Sequence, residues 1–141
     1  MSNKYYENTR FLIISPTRSG GTLLSHAIDS HPDIFCYRSE PLHRLDPIRM
    51  ISKTPFIAID TCLKMPGYEV SGCKLTYDQY KSIGEESIKA LNVHKIIHLH
   101  RENALERIVS EAVRLQDKKN GLRTHTREDR ALQMVNLDPV Q

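Results

Sequence analysis

The sequence predicts an α/β fold of three layers, with a parallel sheet of about four strands and helices on both faces. Three observations carry this. Short apolar runs of strand length recur along the chain. Stretches with helix-start residues and helical spacing of apolar positions stand between them. The first apolar run, Phe11-Leu12-Ile13-Ile14, leads through the turn Ser15-Pro16-Thr17-Arg18-Ser19-Gly20-Gly21 into a helix opened by Thr22-Leu23-Leu24. Parallel strands need long crossovers, and the intervening helices supply them.

In chain order, residues 1–9 are polar and read as loose. Residues 11–14 form the first strand and residues 21–30 the first helix, with Leu23, Leu24, Ala27 and Ile28 expected on its inward face. Pro32 disfavours helix at His31 and ends it. The run Ile34-Phe35-Cys36-Tyr37 is a second strand that delivers Arg38-Ser39-Glu40-Pro41-Leu42-His43 into a loop. A helix is expected near Asp46-Pro47 with Ile48 and Ile51 buried. The next has Thr54 as N-cap, Pro55 as its first residue and Pro66-Gly67 as its stop. Residues 70–75 are a third strand, residues 77–91 a helical stretch broken at Gly84, and residues 94–100 a fourth strand. A capping box of Asn103 and Glu106 starts a helix over residues 103–117, with Leu105, Ile108, Val109 and Ala112 as its buried stripe. Residues 117–121 read as a turn, 122–130 as a polar, basic loop, 131–137 as a weak strand or helix, and Asp138-Pro139 as a further helix start.

Composition bounds the function. A chain of 141 residues suffices for one domain with its own core, so residues 1–141 read as a single domain. The net charge of +3 favours anionic ligands but is too small to argue for nucleic acid. Aromatic residues are only 6% and Trp is absent, which argues against a base-stacking platform. No apolar run nears the ~20 residues of a membrane span, and no membrane partner is expected. The N-terminal residues carry no apolar signal region. Cys36, Cys62 and Cys73 are widely spaced and odd in number, so they read as free thiols in a reducing, cytoplasmic setting.

The first strand, turn and helix together have the layout of a phosphate cradle. Backbone N–H groups of the turn and the positive end of the helix converge on one point. Arg18 adds a permanent cation, Ser19 and Thr22 add hydroxyls, and Gly20 and Gly21 let the backbone come close. The turn is P-loop-like without being a P-loop. In G-x-x-x-x-G-K-[ST] a lysine precedes the final hydroxyl residue; here Gly21 stands in its place, and the cation has moved to Arg18. That suits a ligand whose charge is met by side chains and backbone rather than by a metal-bound triphosphate. In a parallel sheet ligands lie beyond the carboxyl ends of the strands, where Arg18, Glu40, Lys74 and Arg101 are expected to converge. Glu40 could instead be a loop carboxylate paired with Arg38 or His43, and Lys74 an ordinary strand-end lysine. On the last helix Arg107, Ser110 and Arg114 fall on one polar side. Arg101 with Ser110 could grip a second phosphate. His94, His98 and His100 alternate along the fourth strand, but no Cys or carboxylate falls in register with them, and no metal site is expected.

Four stretches in order resemble one family. TRSGGTLL (residues 17–24), SEPLH (39–43), GCKLTYDQ (72–79) and HRENALERIVS (100–110) look like the sulfotransferases that use 3′-phosphoadenosine 5′-phosphosulfate. The closest look is to the bacterial and carbohydrate-type branch that includes trehalose sulfotransferase-like enzymes. The resemblance covers about residues 10–116. It implies that Thr17, Arg18, Ser19, Gly20, Gly21 and Thr22 bind the 5′-phosphosulfate, with Arg18 against the bridging oxygen, and that Arg101 and Ser110 hold the 3′-phosphate. It implies Glu40 as the base for the acceptor and Lys74 as a cation near the sulfuryl group. The implied co-substrate is 3′-phosphoadenosine 5′-phosphosulfate with no metal. The implied acceptor is a small-molecule hydroxyl or amine, a carbohydrate among the candidates. Family members continue well beyond the length of this chain, so it is expected to correspond to their amino-terminal part. An unfinished edge would leave apolar surface for a partner, a second copy being one candidate. Two other readings compete: a P-loop nucleotide kinase or triphosphatase, and a non-catalytic nucleotide-binding remnant of a sulfotransferase.

Overall fold

The computed structural model describes residues 8–121. Sequence expectations for residues 1–7 and 122–141 lie outside the described residues. The chain divides into two compact units, one ending at Arg101 and one beginning at Glu102.

The first unit is built on a parallel sheet of β1 (Thr9–Ser15), β2 (Ile34–Tyr37), β3 (Val70–Thr76) and β4 (Lys95–His98), in the order β2-β3-β1-β4. β1 lies between β3, in register Thr9↔Val70 to Ser15↔Thr76, and β4, in register Phe11↔Lys95 to Ile14↔His98. A strand covered on both faces needs an unbroken apolar run rather than an alternating one. β1 has that run, and Phe11 to Ser15 are all buried. The helices are α1 (Gly21–Asp29), α2 (Pro47–Ile51), α3 (Pro55–Leu63), α4 (Tyr77–Ile83) and α5 (Glu85–Ala90). On one face Leu12, Ile14, Cys73 and Leu75 pack with Ile59, Cys62 and Leu63 of α3 and Ile88 of α5. On the other, Phe11, Ile13 and Cys36 pack with Leu24 and Ile28 of α1. The expected α/β layering, with a parallel four-stranded sheet and helices on both faces, is what the first unit shows. Burying a Leu or Ile side chain contributes about 1.5–3 kcal/mol. Leu12 and Ile13 are wholly buried on opposite faces, so β1 is a firm platform for the turn that follows it.

Helix starts follow the expected chemistry. Asp46 and Thr54 cap α2 and α3 by accepting from the N–H groups of Ile48 and Ile57, and proline follows each cap. Thr76 and Gln79 close a full capping box on α4, and Gly84 separates α4 from α5. The inward face of α1 differs from the expectation. Leu23 is 77% exposed, while Gly21 and Ser25 are buried and Leu24 and Ile28 are half-buried. The helical stripe 21-24-25-28 faces the sheet, and a serine occupies a position that apolar counting would give to leucine. Ser25 can be buried because its hydroxyl donates to the Gly21 carbonyl, 2.8 Å away. Ile51 is likewise exposed, at the very end of a five-residue helix, whereas Ile48 packs against the core.

All three cysteines are free and buried. Burial pushes the Cys36 thiol up to about 11, against a partial offset from the Ser25 hydroxyl. A hydrogen bond with Cys62, and then burial, raise Cys73 well above the usual thiol range. Cys36 and Cys73 therefore stay protonated, and all three cysteines serve as small core residues. No helix among the described residues is long and apolar enough to cross a membrane.

A tight contact joins β3 to β1. A Cβ on Gly72 would lie 2.5 Å from the ring of Phe11, which is itself buried. Gly72→Ala is expected to cost about 1–3 kcal/mol through overpacking. It would read as a lower urea midpoint with an unchanged slope. An unchanged midpoint would mean that the ring has room to turn.

The second unit contains α6 (Ala104–Lys119). Asn103 caps it by accepting from the Glu106 N–H at 3.1 Å. The helix runs through Lys119, beyond the expected end, and residues 117–119 are helical rather than a turn. Asn120 and Gly121 close it, with the Asn120 N–H on the Gln116 carbonyl. The expected stripe is not buried: Leu105, Ile108 and Val109 are exposed. Among the described residues the second unit offers no further element for that stripe to pack on. On its other side Arg114 is held by Glu111, which raises its pKa further.

Candidate functional site

β1 ends at Ser15, and the chain turns through Pro16 and Thr17 to Arg18. Arg18 has φ 61°, in the left-handed region. For a residue with a Cβ this costs about 1–2 kcal/mol, and such strain clusters at functional turns. Gly20, at φ 86°, is the N-cap of α1 and brings no side-chain acceptor to the first-turn N–H groups. Ser19 adds the most telling detail: its Oγ is buried and has no hydrogen-bond partner. A buried hydroxyl without a partner is rare and calls for an explanation. An anion seated at the head of α1 would supply one.

Lys74 reaches this turn from β3. It is opposite Ile13 in the register, so its side chain rises on the α1 side of the sheet. The residue is only 5% exposed. Its Nζ donates to Thr22 Oγ1 at 3.0 Å and pairs with Glu40 Oε1 at 3.2 Å. Its stem passes over Gly21, where a Cβ would lie 2.7 Å from Lys74 Cδ and 3.0 Å from Ser15 Oγ. Gly21 is the position at which a P-loop carries its lysine. In this chain the space beside it is filled by a lysine stem from the neighbouring strand.

Glu40 arrives on the loop after β2, and that loop is fastened at several points. The Tyr37 hydroxyl donates to Asp46 Oδ1 at 2.8 Å, closing the loop at its base. Burial, and then the Asp46 carboxylate, push the Tyr37 phenol far above its ordinary pKa, so it remains a donor. Arg38 Nε pairs with Asp29 Oδ2 of α1 at 2.5 Å. The His43 N–H donates to the Glu40 carbonyl at 2.9 Å, and Pro41 is buried. Arg38 and His43, the other partners considered for Glu40, are therefore engaged elsewhere or through backbone. The carboxylate takes Lys74 on Oε1 and Gln79 Nε2 on Oε2, the latter at 3.4 Å. A mostly buried ion pair is viable only when such additional hydrogen bonds offset its desolvation.

The sequence-predicted residues thus fall into three groups. Thr17, Arg18, Ser19, Gly20, Gly21 and Thr22 form one continuous stretch, with Lys74 bonded to both Thr22 and Glu40 beside it. Arg101 is exposed and leaves the sheet at the same carboxyl edge, since β4 runs parallel beside β1 and the Leu99 N–H donates to the Ile14 carbonyl. Ser110 lies on α6, in the second unit. Gln79 was not singled out by sequence. Its one signal was the Thr-x-x-Gln spacing of a capping box, which points to helix capping rather than to a site. The three histidines do not share a strand. His94 precedes β4 and its Nδ1 accepts from the Arg10 N–H, whereas His98 hydrogen-bonds Tyr77 and lies 6.0 Å from the His100 ring.

Fold and cluster together define an α/β protein with a glycine-bearing turn after its first strand and a lysine–carboxylate pair beside it. Compared with protein-family models, with curated proteins and with solved structures, the chain finds no significant match.

Proposed function

We propose that this chain is a P-loop-like sulfotransferase domain that binds 3′-phosphoadenosine 5′-phosphosulfate and moves its sulfuryl group to a hydroxyl or amine acceptor. One observation carries the reading: the Thr22–Lys74–Glu40 cluster beside a turn whose Ser19 hydroxyl is buried without a partner. The residues fit the group. The first-turn amides of α1, the Ser19 hydroxyl and the Arg18 guanidinium would hold its 5′ end, and Arg101 its 3′-phosphate. The co-substrate would bring an activated sulfuryl group on a phosphate leaving group. In transfers of this kind charge gathers on the leaving oxygen, and fixed cations and donors aimed there supply most of the rate. Arg18 and Lys74 are those cations. Glu40 accepts the proton of the acceptor hydroxyl, in the role of general base.

The reading is tested by calorimetry with adenosine 3′,5′-bisphosphate and with ATP–magnesium. Bisphosphate binding is expected without magnesium. Arg18→Ala and Arg101→Ala are each expected to weaken it about 10- to 100-fold, the worth of one charge-assisted hydrogen bond. Tighter binding of ATP–magnesium would overturn the proposal in favour of a nucleotide kinase or triphosphatase.

A further inference from the structure

The geometry points to Gln79 as a positioning residue that aims the Glu40 carboxylate, a role that rests on the sulfuryl-transfer reading above. Gln79 is the third residue of α4, directly after β3. Its side-chain carbonyl accepts the Thr76 N–H at 3.0 Å, and its own N–H donates to Thr76 Oγ1 at 3.3 Å. This box does more than cap α4. A side-chain amide has an acceptor end and a donor end that can exchange by a flip. With the acceptor end committed to a backbone N–H, the donor end must point away from the helix, and it points at Glu40 Oε2, 3.4 Å away.

The consequence is a fixed orientation. One carboxylate oxygen of Glu40 faces an ammonium that rises from β3, and the other faces an amide locked to the first turn of α4. Both supports come from one continuous stretch, residues 74–79. A side chain on a loop is thereby referenced to the sheet and not only to its own loop. Lys74 alone would leave the carboxylate free to swing about the ammonium, since an ammonium is a point charge with three equivalent donors. The planar amide removes that freedom.

The experiment uses Gln79→Glu in the full chain. Glutamate also completes a capping box, so α4 keeps its cap while a second carboxylate is set against Glu40. Two readouts are taken. In urea unfolding, Gln79→Glu is expected to lower the midpoint. In a Glu40→Gln background, which itself gives up the Lys74 pair, the same Gln79→Glu change is expected to lower the midpoint less or not at all, because carboxylate and amide then face each other in reverse. In the transfer assay, Gln79→Glu is expected to lower kcat about 100-fold with the donor KM unchanged, as for a reacting group moved by about an ångström. An equal loss in both backgrounds overturns the inference, and so does an unchanged kcat in Gln79→Glu. If the unsubstituted chain transfers no sulfuryl group, it is the transfer reading that fails, and the unfolding readout alone decides whether Gln79 holds Glu40.

Discussion

Lys74→Ala is expected to unfold about 3 kcal/mol more easily than the unsubstituted chain and to transfer about 10²- to 10³-fold more slowly. The stability loss follows from burial. Lys74 is 5% exposed, and its removal strands Glu40 beside an empty space where a stem had packed over Gly21. Removing one partner of a buried pair costs about 3–5 kcal/mol, and the lower end applies because the Glu40 side chain keeps 31% of its surface in water. The rate loss is of the size seen when one fixed donor to a developing charge is removed. Lys74→Met separates the two effects, since it keeps most of the stem and deletes the charge. It should recover part of the unfolding free energy and none of the rate. A methionine variant that transfers as fast as the unsubstituted chain would take Lys74 out of the chemistry.

Gly21→Ala is expected to show the opposite balance, with a small change in stability and a large one in function. Alanine favours a helix over glycine by about 1 kcal/mol, yet the added methyl would lie 2.7 Å from Lys74 Cδ. Overpacking of that kind costs about 1–3 kcal/mol, so the two nearly offset. The stem must move to make room, and it carries the ammonium away from Thr22 and Glu40. A fall in kcat of about 100-fold is expected, measured beside a urea midpoint that shifts little. Full activity in this variant would mean that the stem can shift without moving its ammonium.

Much of the fold was legible because its signals are local. An unbroken apolar run marks a strand covered on both faces, and β1 is one. Thr54-Pro55 and Asn103 announce helix starts by their own capping chemistry. That these residues would meet was legible for a topological reason. Parallel strands deliver their following residues to one edge, so the turn at Arg18, the loop at Glu40 and the end of β3 could be expected to meet. What sequence could not give was how side chains divide the space. The use of Gly21 as a slot for Lys74 depends on the meeting of two elements that are distant in sequence. The second support of Glu40 was concealed because Gln79 does two jobs with one amide. The inward face of α1 was misjudged by hydrophobicity, since Ser25 meets its own hydrogen-bonding need within the helix. The stripe on α6 shows the same limit. Periodicity tells which residues share a face, not whether anything covers it.

The strand order has a consequence for biosynthesis. The central strand is the first to leave the ribosome, yet its neighbours are the third and fourth. Until residue 76 has emerged, β1 has no strand to pair with and β2 has none either. Pairings this distant in sequence are closed slowly, because the loop entropy is lost before contacts repay it. Thr22 and Glu40 both wait on Lys74 in the same way. The nascent chain therefore carries the turn before it carries the pair beside it: the arrival of β3 completes the sheet's middle and the lysine–carboxylate pair in one event.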